Sequence, residues 1–123
     1  MAKKTLESLE RELRDYAMGY PEATEDHPWG HIAVKVKGKA FIFLGGDKDA
    51  KELSLSLKLP QSRDMAVDLP FAEPTGYGLG KSGWVSATFK KVSEVPMPLL
   101  KQWIDESYRA IAPKKLWSLR AKS

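Results

Sequence analysis

The sequence contains no cysteine and only two histidines among its 123 residues. The absence of cysteine excludes disulfide bonds and thiolate metal sites. A chain that needs no oxidising compartment is most simply placed in the cytoplasm. No apolar run approaches the length that crosses a bilayer, and residues 1–20 have the pattern of an amphipathic helix rather than of a signal peptide. We therefore expect a cytoplasmic protein without a membrane segment.

An excess of positive charge is absent from most of the chain. The net charge is +4, and no acidic residue follows Glu106. The whole excess lies in four basic residues, Lys114, Lys115, Arg120 and Lys122. Any basic surface on the remainder must come from the sorting of charges between faces. Length and a hydrophobic fraction of 42% predict a single domain over residues 1–123, with a short basic tail at about 114–123.

Apolar residues at spacings of three and four predict a helix at each end of the chain. The first covers residues 5–18, with Thr5 as its N-cap. The last begins near Pro98 and ends before Pro113. Its predicted buried stripe is Leu99, Leu100, Trp103, Ile104, Ser107, Tyr108 and Ile111. A shorter helix over Arg63–Asp68, capped by Ser62, is predicted between the strands.

Alternation with a period of two predicts strands between these helices. A short strand is expected near Thr24–His27. A hairpin follows, with a strand from Ile32, a turn at Gly38-Lys39 and a strand over Ala40–Leu44. Two further strands are expected, one with Leu53, Leu55, Leu57 and Leu59 on one side, and one over Trp84–Phe89; residues 70–83 are predicted to be a loop.

This order of elements predicts an α+β fold. We expect an antiparallel β-sheet with the N- and C-terminal helices packed on one face, in the order α-β-β-β-α(short)-β-α. One face of the sheet should be dry and the other in contact with water.

No combination of residues indicates an enzyme. His27 and His31 could ligate a metal with Glu25 and Asp26, but Pro28 and Gly30 break the helix that would align them, so we expect histidines in a structured loop and no metal. The glycine-rich run at 76–80 is followed by a strand, and a phosphate cradle needs a helix there. Asp105 and Glu106 diverge on a helix, which favours a solvated helix face. We expect no catalytic residue and no cofactor.

The lysines near the predicted strands indicate instead that the protein binds a polyanion. If they converge on the open sheet face or on its hairpins, they form a basic stripe for phosphate. The candidate residues are Lys35, Lys37, Lys39, Lys58, Lys81, Lys90 and Lys91. Lysines on the wet side of a strand are also ordinary devices for solubility and edge protection.

A binding pocket for a small molecule or a peptide is the alternative. Aromatic walls with convergent polar groups are typical of ligand pockets. The candidate lining residues are Trp29, His31, Tyr77 and Trp84, beside the loop at 74–80.

Several short motifs occur in the order seen in the MmcQ/YjbR-like family. They are the run His27-Pro28-Trp29-Gly30, the hairpin over 36–41, the strand over 55–58, the loop over 74–80, Gly83-Trp84-Val85 and the pair Ser107-Tyr108. The sequence resembles this family over residues 5–115. The resemblance implies a fold similar to that of the frataxin homologue CyaY, and a bacterial cytoplasmic protein that binds double-stranded DNA through a double wing of β-hairpins. We expect a monomer. Frataxin-like iron delivery is not implied, because basic residues interrupt the acidic residues of the first helix.

Overall fold

A computed structural model describes residues 5–27, 31–45, 52–75 and 83–116. The elements follow one another along the chain as α1 (Leu6–Met18), β1 (Ala23–Asp26), β2 (Ile32–Val36), β3 (Lys39–Gly45), β4 (Leu53–Lys58), α2 (Arg63–Val67), β5 (Ala72–Pro74), β6 (Trp84–Phe89), a 3₁₀ turn (Val92–Glu94) and α3 (Met97–Ile111). The predicted α+β class is confirmed.

The strands form one antiparallel sheet in the order β1-β2-β3-β4-β6-β5. The strands β1 and β5 are its edges. Outward pairing from β5 is restricted because Pro74 has no N–H and the N–H of Ala72 donates to the carbonyl of Leu69, 3.1 Å away.

The predicted first helix is confirmed. Thr5 and Ser8 bond reciprocally, because the Thr5 hydroxyl accepts from the N–H of Ser8 and the Ser8 hydroxyl accepts from the N–H of Thr5. Leu9, Leu13 and Ala17 form the buried stripe of α1. This stripe packs on the sheet beside α3.

The β2–β3 turn lies one residue earlier than its predicted position at Gly38-Lys39. Lys37 and Gly38 both have positive φ, at 53° and 80°, which gives the geometry of a two-residue hairpin turn. Lys39 is therefore already part of β3. The register shifts between Val34 and Lys35, and this bulge lets the consecutive residues Phe41 and Ile42 both be buried.

The alternation of β4 is confirmed. Its leucines from Leu53 to Leu59 are at most 1% exposed and face the helices. Residues paired in register share a face, so Ile42 and Leu44 of β3 join them, as do Val85 and Ala87 of β6. The core lies between this face and the helices α1 and α3.

The segment around α2 differs from the prediction in two ways. The side chain of Ser62 makes no capping hydrogen bond to α2. Its hydroxyl donates to Glu106 of α3, 2.6 Å away, because the chain leaves β4 alongside α3. Residues 70–83, predicted to be a loop, contain the strand β5, which is too short and too rich in proline to show a period of two.

The ends of the sheet have different neighbours. The β2–β3 turn, the start of β3, the end of β4 and the start of β6 lie together at one end, here called the hairpin end. The other, the far end, contains the starts of β2 and β4 and the end of β6. The helix α3 begins just after β6 at the far end and runs to the hairpin end, where Ser107 bonds to Phe41 and Lys58.

Within the described residues, no helix combines the length and the apolar character that a bilayer span requires.

Candidate nucleic-acid interface

The sheet face opposite the helices carries the side chains on which the predicted stripe depends. Nearest the hairpin end, Lys35 of β2 lies opposite Ala40 of β3, and Lys58 of β4 lies opposite Trp84 of β6. The next row toward the far end contains Asp26, Ala33, Phe43, Ser56, Ser86 and Glu73. Lys35 and Lys58 each lie two residues from a member of this row, Ala33 and Ser56, and thus share the outer face. The acidic residues Asp26 and Glu73 lie at the two edges of the same face, so the face carries both signs of charge.

The centre of this outer face is apolar. The rings of Phe43 and Trp84 approach to 5.6 Å between centroids. They come from strands on either side of β4, and they can meet because β4 presents the small Ser56 between them. Ala33 beside Phe43 is fully buried, and Trp84 is only 8% exposed. The outer face is therefore in contact with water only around this apolar centre.

Hydroxyl groups surround this apolar centre. Ser86 bonds to Ser56 at 2.8 Å and to Thr75 at 2.9 Å. These short side chains satisfy one another, so they tie β4, β5 and β6 together on the outer face.

The candidate lysines do not form one stripe. Lys35, Lys37, Lys39 and Lys58 lie at or near the hairpin end. Lys90 and Lys91 follow β6 at the far end. Five residues of β4 separate the two ends, which is roughly 17 Å. Lys81 lies outside the described residues.

Two lysines of the hairpin are paired with acidic residues at the β1 edge. The Nζ atom of Lys35 lies 2.9 Å from Oδ2 of Asp26, and the Nζ atom of Lys37 lies 2.8 Å from Oε1 of Glu22. The hydrogen bond from Lys35 lowers the pKa of Asp26. Lys39 and Lys58, by contrast, have no ion pair with any described residue.

The C-terminal helix brings further cations to the hairpin end. The buried Ser107 hydroxyl donates to the carbonyl of Phe41 and accepts from the N–H of Lys58 at 2.9 Å. One residue on, the Tyr108 hydroxyl donates to the carbonyl of Pro21 at 2.8 Å. These contacts fix the end of α3 against the start of β3 and the end of β4.

Basic residues follow on the chain within two helical turns of Tyr108. We use the name cationic cluster for Lys37, Lys39, Lys58, Arg109, Lys114 and Lys115. The basic tail is evident in the sequence, but its position beside the β2–β3 hairpin was not predicted. The signal that could have done so was the pair Ser107-Tyr108, whose polar groups on a buried stripe require partners.

Three carboxylates near the cationic cluster already have partners. Glu22 pairs with Lys37. Asp105 accepts from Tyr20 at 3.0 Å and pairs with Arg109 at 2.9 Å. Glu106 accepts from the N–H groups of Gln61 and Ser62 and from the Ser62 hydroxyl.

The bonds of Asp105 and Glu106 correct one expectation. These residues do not form a merely solvated helix face. Both are partly buried, and they bind α3 to the α1–β1 and β4–α2 connections.

The histidines lie apart. His27 Nε2 is 2.6 Å from Oε2 of Glu25, and the other oxygen of Glu25 accepts from Nε of Arg14. The bond from Arg14 is the main cause that lowers the pKa of Glu25. His31 packs on Gly45, where a Cβ atom would clash with its ring. Among the described residues, no three His, Asp or Glu side chains are grouped to bind a metal ion.

Only two of the four residues predicted to line the alternative ligand pocket, His31 and Trp84, are among the described residues. Of its predicted residues, Trp29 and Tyr77 lie outside the described residues, as does the glycine run at 76–80. His31 lies at the far end and Trp84 at the hairpin end, so the structure does not bring these two together. A groove of about 660 Å³ beside Phe71 and Lys90 contains none of the four. The pocket stays a prediction.

The fold and this surface define a small α+β domain with an antiparallel sheet, helices on one face and cations gathered at one end. A model of the YjbR family matches residues 18–110, and the chain belongs to that family. A solved structure of the Deinococcus radiodurans protein DR2400, with a DUF419 domain, is similar with a TM-score of 0.69 and 24% identity, over 90% of this chain and 86% of that one. This similarity shows the fold. Among curated proteins there is no match.

Proposed function

We propose that this chain is a non-catalytic protein that binds double-stranded DNA, with the cationic cluster as its phosphate-binding surface. The observation that carries the proposal is the asymmetry between the two ends. At the hairpin end Lys39, Lys58 and Lys114 have no ion pair with any described residue. At the far end Lys90 and Lys91 also have no ion pair with any described residue, but Lys90 lines a groove together with the carboxylates of Glu73 and Glu94. Lysines without internal partners are available to replace the counterions of a phosphate backbone.

The shape of the hairpin end suits a duplex. The β2–β3 turn is a tight two-residue connection with the start of β1 beside β2 and the end of β4 near the start of β3, so this end of the sheet offers a broad surface of turns and strand ends to the phosphates of a duplex. The hairpin contributes Lys37 and Lys39, while Lys58 and Lys114 come from different elements beside it. Lysine contacts to phosphates give affinity and orientation rather than base recognition. The expected binding is therefore largely independent of sequence.

The described polar groups support binding rather than catalysis. The Ser107 hydroxyl is buried and bonded on both sides by backbone groups. The Nε2 atom of His27 is engaged by the carboxylate of Glu25. A cytoplasmic, bacterial setting is part of the same proposal, because the chain lacks cysteine and resembles bacterial proteins.

A salt titration tests the proposal. Binding of a short fluorescent duplex is followed by anisotropy between about 50 and 200 mM salt. Three phosphate contacts give a slope of log K against log salt of roughly −3. Each of the variants Lys39→Gln, Lys58→Gln and Lys114→Gln should weaken binding to all sequences alike and make the slope shallower by about one.

The double variant Lys90→Gln/Lys91→Gln is the matched control. It removes two exposed lysines from the far end, so its slope should equal that of the unaltered protein. Absence of binding at the lowest salt would overturn the proposal. So would equal losses in the control and in the variants of the cationic cluster.

A further inference from the structure

The ion pairs at the β1 edge divide the lysines of the hairpin end into two groups. Lys35 and Lys37 are paired with Asp26 and Glu22, whereas Lys39 has no such partner among the described residues. The register explains the geometry. Ala23 lies opposite Val36 and Thr24 opposite Lys35, so Glu22 comes next to Lys37 at the open end of the ladder.

The backbone at this point has an uncommon conformation on both sides. Glu22 has a φ of 58° and Lys37 a φ of 53°, and neither residue is glycine. A left-handed conformation is unfavourable for residues with a Cβ atom. It is nevertheless the conformation in which these two side chains meet at 2.8 Å. The pairing is therefore part of how the hairpin joins the edge strand.

Both pairs are open to solvent. The side chains are 47% exposed for Lys37 and 49% for Glu22, and 31% exposed for Lys35 and 59% for Asp26. Exposed ion pairs are weak and screened by salt. A phosphate can compete with a carboxylate for the same ammonium group. The carboxylate is part of the protein, so its negative charge remains close to the bound phosphate and repels it.

We propose that Glu22 and Asp26 act as an internal competitor for the phosphates of the bound nucleic acid and so set its affinity. This inference rests on the proposed function, and it deepens it by naming the residues that oppose binding. The carboxylates occupy Lys37 and Lys35 in the free protein. When a phosphate backbone binds, each lysine exchanges a carboxylate partner for a phosphate, and the displaced carboxylate repels the ligand.

Two consequences follow for the unaltered protein. Lys37 and Lys35 contribute less to binding than Lys39 and Lys58, because their attraction to phosphate is offset by the lost ion pair. The salt slope should also be shallower than a count of lysines suggests, because paired lysines hold fewer counterions to release.

Neutral variants test the inference in the same anisotropy titration. Glu22→Gln and Asp26→Asn keep the size of each side chain and remove its charge. Each should tighten binding of the duplex by about two- to fivefold, which corresponds to the strength of an exposed ion pair. Glu22→Gly is a second variant at the same position. It accepts the positive φ without strain and should tighten binding equally.

Glu73→Gln is the matched control. It removes one negative charge from the opposite edge strand of the same outer face. Its effect should be smaller than that of Glu22→Gln. If Glu73→Gln tightens binding as much, the effect is one of net charge and the inference is overturned.

A pair of lysine variants completes the test. Lys37→Gln should change binding little in the unaltered protein but weaken it clearly in the Glu22→Gly background. Equal effects of Lys37→Gln in the two backgrounds would overturn the inference while the proposed function stands. If neither the unaltered protein nor any neutral variant binds the duplex, both proposals fail.

Discussion

The two ends of the sheet are both packed with aromatic rings, but only one set carries hydroxyl groups. At the hairpin end the ring centroids of Tyr20 and Tyr108 are 4.4 Å apart, and those of Phe41 and Tyr108 are 5.1 Å apart. At the far end Phe71 lies 4.8 Å from Phe89 and 6.2 Å from Trp103. The hydroxyls of Tyr20 and Tyr108 donate to Asp105 and to the carbonyl of Pro21.

This difference shows how the hairpin end keeps a defined geometry. Apolar packing gives stability, but it tolerates rearrangement among groups of similar size. Directed hydrogen bonds fix which backbone segments meet. Burial raises the pKa of both Tyr20 and Tyr108, so the hydroxyls remain protonated donors at neutral pH. The end with the fixed backbone is also the end with the cationic cluster.

Among variants that remove a hydroxyl group from the hairpin end, Ser107→Ala should lower the free energy of unfolding the most. Ser107→Ala leaves the carbonyl of Phe41 and the N–H of Lys58 buried without a partner from α3. Unsatisfied buried groups of this kind predict a loss of about 2–4 kcal/mol in the free energy of unfolding. Urea denaturation at neutral pH measures it.

Ser54→Ala serves as the control for that measurement. Ser54 lies on the outer face toward the far end, and its hydroxyl is 3.4 Å from that of Thr88. Its loss should change the free energy of unfolding by less than about 0.5 kcal/mol. If the two variants are equally stable, the hairpin end does not depend on the bridge from α3.

Much of the fold could be predicted because its signals are local. The alternating leucines of β4 are buried as predicted, and so are five residues of the stripe predicted for α3, whereas Leu99 and Ile111 at its ends are only partly buried. The stripe even includes Ser107. The strand β5 could not be predicted, because its three residues are recruited by pairing with β6. The partner of Ser62 depends on Glu106, which is distant in sequence.

In the candidate site, too, features with a local signal could be predicted and contacts between distant segments could not. The parity of positions along β2 and β4 is a local signal, and the register places Lys35 and Lys58 together on the outer face. Parity could not show that Lys35 is paired with Asp26, because that contact depends on an edge strand added from the other side. Nor could it show that Lys90 lies at the opposite end from Lys39. Distances along a sheet depend on the order and register of all its strands.

The loss of one tyrosine hydroxyl should have a smaller effect than the loss of Ser107. Tyr108→Phe keeps the ring in its cluster and removes the bond to Pro21. The expected loss is about 1 kcal/mol in the free energy of unfolding. Thr88→Val removes a hydroxyl from an exposed position near the far end and should cost less than about 0.5 kcal/mol. Equal losses would remove the distinction between the two ends.

The smallest effect concerns β1, which runs from the hairpin end toward the far end. Arg14 of α1 bonds Glu25 of β1, and this bond is the main cause of the lowered pKa of Glu25. A carboxyl group whose pKa is lower in the folded state stabilises the fold at pH values above its unfolded pKa of about 4.3. That contribution disappears as the pH falls through the folded pKa. The difference in unfolding free energy between the unaltered protein and Glu25→Gln should therefore be present at pH 6 and shrink below about pH 4.

Denaturation at several pH values measures this difference directly, since the other carboxyl groups titrate in both proteins and cancel. Arg14→Gln removes the same bond from its other side, so it should reduce the acid sensitivity in the same direction as Glu25→Gln. In Arg14→Gln, His27 still contacts the second oxygen of Glu25 and still lowers the pKa of its carboxyl group. The stability of Arg14→Gln should therefore depend on pH through Glu25, but less than the stability of the unaltered protein does. A difference that stays constant from pH 6 to pH 3 would show that the pair does not link α1 to β1. In that case apolar packing would join α1 to the sheet, and the directed hydrogen bonds at the hairpin end would come from α3.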